Sequence, residues 1–348
     1  MDRRISLEWE LFDPGIDGSW EYYMMIKTHP AKSLIAACIA ALALTACGGS
    51  DNGSASGANG ASGSSGATST GFSGQDASAP VLTNSVATDG FNWINYRRTQ
   101  AGVGALTRSS LLDRSSQAHS DYQRLNNTVT HDEEANKPGF TGVTVEDRVQ
   151  AAGYKLVRNY ASGEIIAATT NNTGFYMAEE LVTAIYHRFV MFEPLFKDMG
   201  SGAANTSANY VYFTTNLGAT NGYSPGLPSH TIVSWPFDGQ TGVVTTFASN
   251  YEEPDPVPDI NEVGYPISVH ANLTETVAVQ SFTVRVRGAS SNLATRLLVK
   301  GQDANTTMSS VAAIVPLAPL AARTTYDVSF TGTVGGTAVS KTWSFTTK

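Results

Sequence analysis

"FNWINYRRTQAGVGALTRSSLLDRSSQAHSDYQRLNNTVTHDEE", residues 91–134, is the stretch that decides the fold. Its first part predicts a helix that ends at Gly102, because glycine readily adopts the left-handed conformation found after a helix C-terminus. A second helix is expected to start at Ser110 as N-cap, with Asp113 completing a capping box. Apolar residues then recur at helical spacing and predict one buried face. They are Leu111, Ala118, Tyr122 and Leu125.

Helices and a strand follow this stretch. "TVEDRVQAAGY" predicts a helix capped by Thr144 and Asp147 that ends at Gly153. "FYMAEELVTAIYHRFVMFEP", residues 175–194, predicts one helix that ends before its final proline. On a continuous helix Glu180 and His187, seven residues apart, would share a face. "ANYVYFTTNL" alternates in the manner of a strand.

The order of several short motifs resembles that of bacterial CAP domains, the superfamily of cysteine-rich secretory proteins, antigen 5 and pathogenesis-related proteins. "DRVQAAGY", "SGEII" and "YHRFVMFEPLFKDMGSG" each resemble a segment of that family. The resemblance covers about residues 85–220 and implies an α/β/α sandwich, which we assign to residues 81–220. Single residues of the opening stretch also match. They are Asn95, Arg98, Gly102, Leu106, Ala118, His119 and His131.

The resemblance implies a cleft in which two histidines and two glutamates meet, in some members around a divalent metal. His131 and Glu164 match one member of each pair, so they are the candidate catalytic residues and the candidate ligands of a metal such as zinc. His187 and Glu180 are candidate cleft residues. The second family glutamate and the late histidine are absent, and Ile165 stands where the family has asparagine.

Each candidate also has a structural interpretation. His131 lies in the polar turn "THDEE" and could be a solvated loop residue. His119 is interpreted as a helix residue with ordinary hydrogen bonds. Glu164 opens an apolar run, where a role as hydrogen-bond acceptor for the backbone competes with a role as ligand. No Gly-x-Ser-x-Gly or His-Glu-x-x-His motif accompanies these residues.

The N-terminal part has the features of a targeting signal. Residues 25–46 place lysines before an apolar run of roughly thirteen residues, too short to span a bilayer and typical of a signal peptide. The run ends "LTACG", which resembles the lipobox of bacterial lipoproteins and implies lipidation of Cys47. Gly48 after that cysteine favours the outer membrane in the Gram-negative pattern.

The segments on either side of the signal peptide complete this prediction. Residues 1–24 carry six acidic residues against two arginines, so we expect translation to begin at Met24 or Met25. Residues 47–80 are rich in Gly, Ser, Ala and Asn and predict a flexible tether. The predicted location is the cell envelope, with the rest of the chain held near a membrane.

A second domain is predicted at the C-terminus. Residues 221–258 read as connecting strands and a linker rich in Pro and acidic residues. Residues 259–348 consist of short alternating segments that predict an all-β sandwich, and their ending resembles bacterial Ig-like domains. Tyr326 and Trp343 are expected in its core. The fold class is therefore α+β, a CAP-type sandwich followed by an Ig-like sandwich.

Composition excludes several functions. The net charge is −8 without a basic stripe, which argues against nucleic acid as a partner. Both cysteines, Cys38 and Cys47, lie in the first fifty residues, so the predicted folded part can form neither a disulfide nor a cysteine nucleophile. Three functions stay open: binding of a lipid, glycan or peptide in the cleft, hydrolysis through His131 and Glu164, and a structural surface role.

Overall fold

The computed structural model describes residues 78–348 and the backbone of residues 20–23. The predictions for the signal peptide, for Cys47 and for most of the tether lie outside the described residues. Within residues 78–348, no helix has the length and apolar character needed to cross a membrane.

The first part of the fold is a five-stranded sheet between two layers of helices. The helices are α1 (Val86–Ala101), α2 (Ser110–Asn126), α3 (Val145–Ala151), α4 (Gly174–Thr183) and α5 (Ile185–Met191). The strands are β1 (Trp20–Tyr23), β2 (Thr107–Arg108), β3 (Ala161–Thr169), β4 (Asp198–Asn205) and β5 (Val211–Ala219), in the order β1-β3-β5-β4-β2. Strands β3, β5 and β4 are antiparallel, and the two outer strands pair in parallel.

Most predicted helix ends are confirmed. Gly102 follows α1 with φ of 87°, and Thr144 and Asp147 form the capping box of α3. The cap of α2 was predicted one residue too late, since it is Ser109 whose side chain accepts from the N–H of Leu112. Asp113 instead accepts a hydrogen bond from the N–H of Ser201 on β4.

The predicted buried face of α2 is only partly confirmed, since Tyr122 is buried but Leu111 and Ala118 are half-buried. Leu125 is 51% exposed, whereas the buried side chains of this helix are mostly polar. They are Leu112, Ser115, Ser116, His119, Ser120, Tyr122 and Gln123. The hydroxyl groups of Ser116 and Ser120 donate to the carbonyl oxygens of Gly200 and Gly202 on β4. Helix α2 thus packs through hydrogen bonds, which apolar periodicity cannot detect.

The opposite face of the sheet is apolar. On β5, Phe213 lies against Gly90 of α1, whereas its neighbour Thr214 bonds Ser120 of α2, as the alternation of a strand requires. The same alternation explains the sequence around Glu164. Its side chain points toward the polar layer of α2, and Ile165 points toward the apolar layer of α1, α4 and α5.

The helix predicted over residues 175–194 is interrupted. Ala184 has an extended conformation and separates α4 from α5. The carboxylate of Glu252 accepts hydrogen bonds from the N–H groups of Ile185 and Tyr186, both at 2.7 Å, and so caps α5. Neither a proline nor a glycine marks this break in the sequence. Because of it, Glu180 and His187 lie on separate helices and do not share a face.

Two further four-stranded sheets follow. Their strands are β6 (Val233–Trp235), β7 (Gln240–Val243), β10 (Ile267–His270), β11 (Val277–Val286), β12 (Thr295–Leu298), β13 (Val311–Pro316), β14 (Thr325–Val334) and β15 (Thr337–Thr347), while β8 (Phe247–Ala248) and β9 (Glu262–Val263) form a separate pair. The orders are β12-β13-β10-β6 and β11-β14-β15-β7. Tyr326 and Trp343 are buried, as predicted. The Ig-like topology stays a prediction.

The β part is continuous with the helical part. Strands β6 and β7 lie in the segment predicted to connect the domains, and each joins one of the two sheets. Phe192, next to α5, meets Trp235 of β6 with ring centroids 5.2 Å apart. Arg188 of α5 donates to the carbonyl of Pro266 and to the hydroxyl of Ser268. Buried apolar residues of both parts form one core.

Candidate functional site

His131 and Glu164 meet, as the resemblance predicted. Nδ1 of His131 lies 2.7 Å from Oε1 of Glu164. Glu164 is fully buried in the middle of β3, and the His131 side chain is only 8% exposed. The loop after α2 therefore turns inward at His131, and the interpretation of this histidine as a solvated loop residue is wrong.

Arg148 neutralises the Glu164 carboxylate. Nη2 of this α3 arginine lies 2.9 Å from Oε1 and 3.1 Å from Oε2. The side-chain amide of Asn216, on β5, donates to Oε2 at 2.8 Å. Both oxygens of Glu164 therefore accept from groups of the protein itself, and the guanidinium supplies the positive charge that a bound metal would otherwise supply.

His119 joins a second carboxylate to the cluster. Its Nδ1 lies 2.8 Å from Oε1 of Glu133 and its Nε2 lies 2.6 Å from the carbonyl oxygen of Thr130. Both partners are oxygen atoms, one of a carboxylate and one of the backbone, so each ring nitrogen of His119 lies within hydrogen-bonding distance of a protein acceptor. Glu133 also accepts from the N–H and the hydroxyl of Thr141. Two buried carboxylates, those of Glu133 and Glu164, thus lie around the guanidinium of Arg148 and the rings of His119 and His131.

These charges fix the protonation of the central pair. Burial would raise the pKa of Glu164, but Arg148 and the neighbouring histidines outweigh it and hold this pKa well below its usual range. Burial lowers the pKa of His131, although Glu164 opposes the shift. At neutral pH Glu164 is therefore ionised and His131 is neutral, with its proton on Nδ1 and a lone pair on Nε2.

The cluster does not fit a metal centre. Both nitrogens of His119 and both oxygens of Glu164 face protein groups, and within residues 78–348 no three acidic or histidine side chains are arranged to hold a metal ion. His131 and Glu164 do converge, but as a hydrogen-bonded pair beside a guanidinium. The hydrogen bonds and the ion pair of this cluster hold the loop after α2 against α3, β3 and β5.

The other predicted cleft residues lie elsewhere. His187 is buried on α5, in the apolar layer across the sheet, and its Nδ1 lies 3.1 Å from Oε1 of Glu252. Glu180 is half-buried on α4. Three surface cavities of about 540 to 780 Å³ are lined by residues other than His131 and Glu164.

Sequence reasoning missed three members of the cluster, Arg148, Glu133 and Asn216, and also the hydrogen bonds of His119 to Glu133 and Thr130. Arg148 had one signal, since it opens the segment that resembles the Arg-x-x-x-Ala-Gly-Tyr motif. Glu133 sits two residues after His131 in a turn where acidic residues are ordinarily solvated. Its burial follows from the fold of the loop, which local sequence does not encode.

A buried carboxyl group also lies where the helices meet the β part. Oε1 of Glu193 accepts from the N–H groups of Leu195 at 2.9 Å and Leu273 at 3.1 Å, and Oε2 has no hydrogen-bond partner within residues 78–348. Burial raises its pKa from 4.5 to about 7, although the two N–H groups and Arg98 oppose the shift. The folded chain therefore binds more protons than the unfolded chain between these pH values.

Because of this difference, the contribution of Glu193 to stability is present below pH 4.5 and is lost as the pH rises toward 7. Glu193→Gln keeps the acceptor for both N–H groups and does not titrate. We expect it to raise the free energy of unfolding above pH 7, by at most about 3 kcal/mol relative to its effect at pH 4.5. Urea unfolding of both proteins from pH 4.5 to 8 measures the difference, and parallel pH profiles would contradict the expectation.

One comparison with known proteins assigns the first part of the fold to a family. Residues 91–217 match the family model described as "CAP: Cysteine-rich secretory protein family". No match is found among curated proteins. Three similar solved structures come from bacteria.

The first is an extracellular protein containing a SCP domain from Bacillus anthracis, with 20% identity and a TM-score of 0.33 over 40% of this chain and 44% of that one. This chain thus spans less than half of the length of the Bacillus protein. The second is an outer surface protein from Borrelia burgdorferi, with 15% identity and a TM-score of 0.34 over 40% of this chain and 97% of that one.

The third is a cysteine-rich secretory protein from Staphylococcus aureus, with 13% identity and a TM-score of 0.26 over 40% of each chain. These likenesses carry no functional conclusion. The match to the family model stands by itself, and it spans α1 to β5 with the whole charged cluster. Residues 91–217 of this chain therefore form a CAP domain.

Proposed function

We propose that this chain is a lipid-anchored protein of the bacterial cell envelope whose CAP domain binds a ligand without hydrolysing it. One observation favours binding over hydrolysis. The Glu164 carboxylate is fully buried and bonded by Arg148, His131 and Asn216. A carboxylate with a strongly lowered pKa and no open coordination position is neither a general base nor a metal ligand, but it does hold a surface loop in one shape.

The proposal of a lipid anchor is based on the sequence alone. The lipobox-like "LTACG" and the tether of residues 47–80 support a chain that is acylated at Cys47 and held close to a membrane. The predicted membrane is the outer one. Fatty-acid labelling in a Gram-negative host tests this part, and we expect the label on the wild-type chain and none on the Cys47→Ala variant. Equal labelling of both chains would overturn the anchor.

Hydrolysis is the second candidate, because a neutral His131 oriented by Glu164 at 2.7 Å has the form of a base and its positioning partner. It requires a substrate at Nε2 of a side chain that is 8% exposed. The histidine would have to become more accessible for this to happen. A surface protein with an inert cleft is the third candidate, and it needs no ligand.

One experiment separates the three. The chain from residue 48 onward is incubated with the peptide, glycan and lipid fractions of a bacterial envelope, and both retained and changed components are identified by mass spectrometry. Binding predicts a retained component of unchanged mass, and the inert surface role predicts none. Hydrolysis predicts products that disappear with His131→Asn, which keeps a donor toward Glu164 but lacks the imidazole base. Products that depend on His131 would refute the proposal.

A further inference from the structure

A cavity of about 600 Å³ lies on the outer face of the sheet β11-β14-β15-β7. This volume is within the range of sites that bind small ligands. Val328 and Trp343 contribute backbone to its floor, since their side chains are buried on the other face of the sheet, where the rings of Trp343 and Phe282 lie 6.0 Å apart. The other lining residues are polar or charged, and they include Asp238 before β7 and Asn292 after β11.

Strand register arranges the side chains of the floor in two rows across β11, β14 and β15. Members of a row are cross-strand neighbours, and the two rows are two residues apart, so all of them project from the same face. They are Thr283, Ser329 and Thr342 in the first row and Arg285, Asp327 and Ser344 in the second. Neighbouring strands lie about 4.8 Å apart, so the hydroxyl groups of the first row extend over roughly 10 Å.

The hydroxyl groups of this floor are available to a ligand. Within residues 78–348 none of them forms a hydrogen bond with another protein group. They belong to Thr283, Ser329, Thr342 and Ser344. On the same face, Thr325 and Thr346 bond each other across the strands at 2.9 Å. Cross-strand hydroxyl groups can therefore satisfy one another in this sheet, but those of the cavity do not.

Arg285 gives the cavity a positive charge that no acidic side chain neutralises directly. Asp327 lies opposite Arg285 in the strand register, but its Oδ1 lies 2.9 Å from Nε and 2.7 Å from Nη2 of Arg287. In the part of the chain that the structure describes, the Arg285 guanidinium forms neither an ion pair nor a hydrogen bond. A guanidinium presents parallel N–H donors that match the two oxygens of a carboxylate. Charge complementarity therefore points to a carboxylate on the ligand.

The architecture of the floor argues against a peptide strand and against an acyl chain. Strands β14 and β15 are paired on both edges, so their backbones have no free edge to which a peptide strand could add. No apolar side chain faces the cavity, because those of Val328 and Trp343 are buried in the core. The hydroxyl groups of a saccharide each donate and accept hydrogen bonds, which suits a floor of hydroxyl groups flanked by an amide and a carboxylate.

We propose that this cavity binds an acidic saccharide, one whose sugar units carry a carboxylate. Arg285 bonds the carboxylate, and the row of Thr283, Ser329 and Thr342 bonds the sugar hydroxyl groups. The site lies on the β part and is separate from the CAP domain, so it goes beyond the binding function proposed above and does not depend on it.

Two matched saccharides test the proposal by isothermal titration calorimetry with the full chain carrying Cys47→Ala. One is a hexasaccharide of alternating glucuronic acid and N-acetylglucosamine, and the other is the same hexasaccharide with its carboxyl groups reduced to alcohols. We expect the acidic form to bind at least about tenfold more tightly, because a hydrogen bond to a charged group is worth about 1.5–3 kcal/mol. No saturable binding of the acidic form, or equal binding of both forms, would overturn the site.

Variants locate the binding. Arg285→Gln should weaken binding of the acidic form at least about tenfold and remove the preference over the reduced form. Arg323→Gln removes the same charge from an exposed position of the β part outside the cavity and should change neither affinity. Ser329→Ala should weaken binding of both forms by a similar factor, because it removes a hydroxyl group and no charge. Equal losses with Arg285→Gln and Arg323→Gln would indicate attraction by net charge and refute the proposal.

A peptide of the same charge tests whether the ligand class is a saccharide. The probe is a six-residue peptide of alternating glutamate and serine with blocked ends, which carries three carboxylates like the acidic hexasaccharide. We expect it to bind at least about tenfold more weakly, because it lacks most of the hydroxyl groups that the floor would bond. Binding as tight as that of the acidic hexasaccharide would refute a saccharide site. Binding of envelope components by the CAP domain is a separate measurement, so its failure is distinguishable from failure here.

Discussion

Arg148→Met is expected to destabilise the protein by about 3–5 kcal/mol, because it leaves a buried carboxylate without its cation. Arg148 is 1% exposed and Glu164 is fully buried, with the guanidinium within hydrogen-bonding distance of both carboxylate oxygens. Methionine fills much of the same volume, so the loss reports charge more than packing. Urea unfolding at pH 7 measures it.

A second substitution tests this cause. In Arg148→Met/Glu164→Gln the guanidinium and the carboxylate that it bonds are removed together, so no unpaired charge is left at position 164. We expect the double variant to recover at least about half of the lost stability, which a role of Arg148 in packing alone would not allow. The single variant should also gain stability relative to wild type as the pH falls, because Glu164 without Arg148 is more readily protonated. A double variant no more stable than the single one would contradict the assignment.

The sequence predicted most elements because their signals are local. Gly102 ends α1 and Thr144 caps α3, as the caps indicated. The convergence of His131 and Glu164 followed from the resemblance and not from spacing, since 33 residues separate them. What could not be predicted depends on distant partners. At the break after Ala184, the first N–H groups of α5 are bonded by Glu252, a residue of the predicted linker that is buried against α5.

The prediction of an apolar buried face on α2 failed in part for a related reason, because most of the buried side chains of this helix are polar. Apolar periodicity assumes that a helix packs through apolar side chains, whereas α2 lies so close to β4 that its serines reach the strand carbonyls. This approach depends on Gly200 and Gly202, residues that the sequence offered only as a Gly-x-Gly pattern. Ser116 also bonds Asn216, so the same close contact helps to position a partner of Glu164.

Gly202→Ala is therefore expected to cost about 3 kcal/mol or more, because a Cβ atom at this position would lie 2.2 Å from the backbone nitrogen of Gln117 and 2.3 Å from its Cα. Backbone atoms cannot rotate away, so α2 must shift as a unit. That shift would stretch the bond from Ser120 to the carbonyl of residue 202 and move His119 relative to Glu133. The loss should appear in urea unfolding as a lower midpoint with an unchanged slope.

Gly104→Ala is the matched control, because nothing lies within 4 Å of a Cβ atom added there. Its free energy of unfolding should stay within about 0.5 kcal/mol of wild type, the range of ordinary surface substitutions. If steric contact between α2 and β4 is the cause, Gly200→Ala should be as damaging as Gly202→Ala, since its Cβ would lie 2.1 Å from the nitrogen of Asp113. Losses below about 1 kcal/mol at both positions would contradict the prediction. They would mean that α2 can move away from β4 without breaking the hydrogen bonds of the buried cluster.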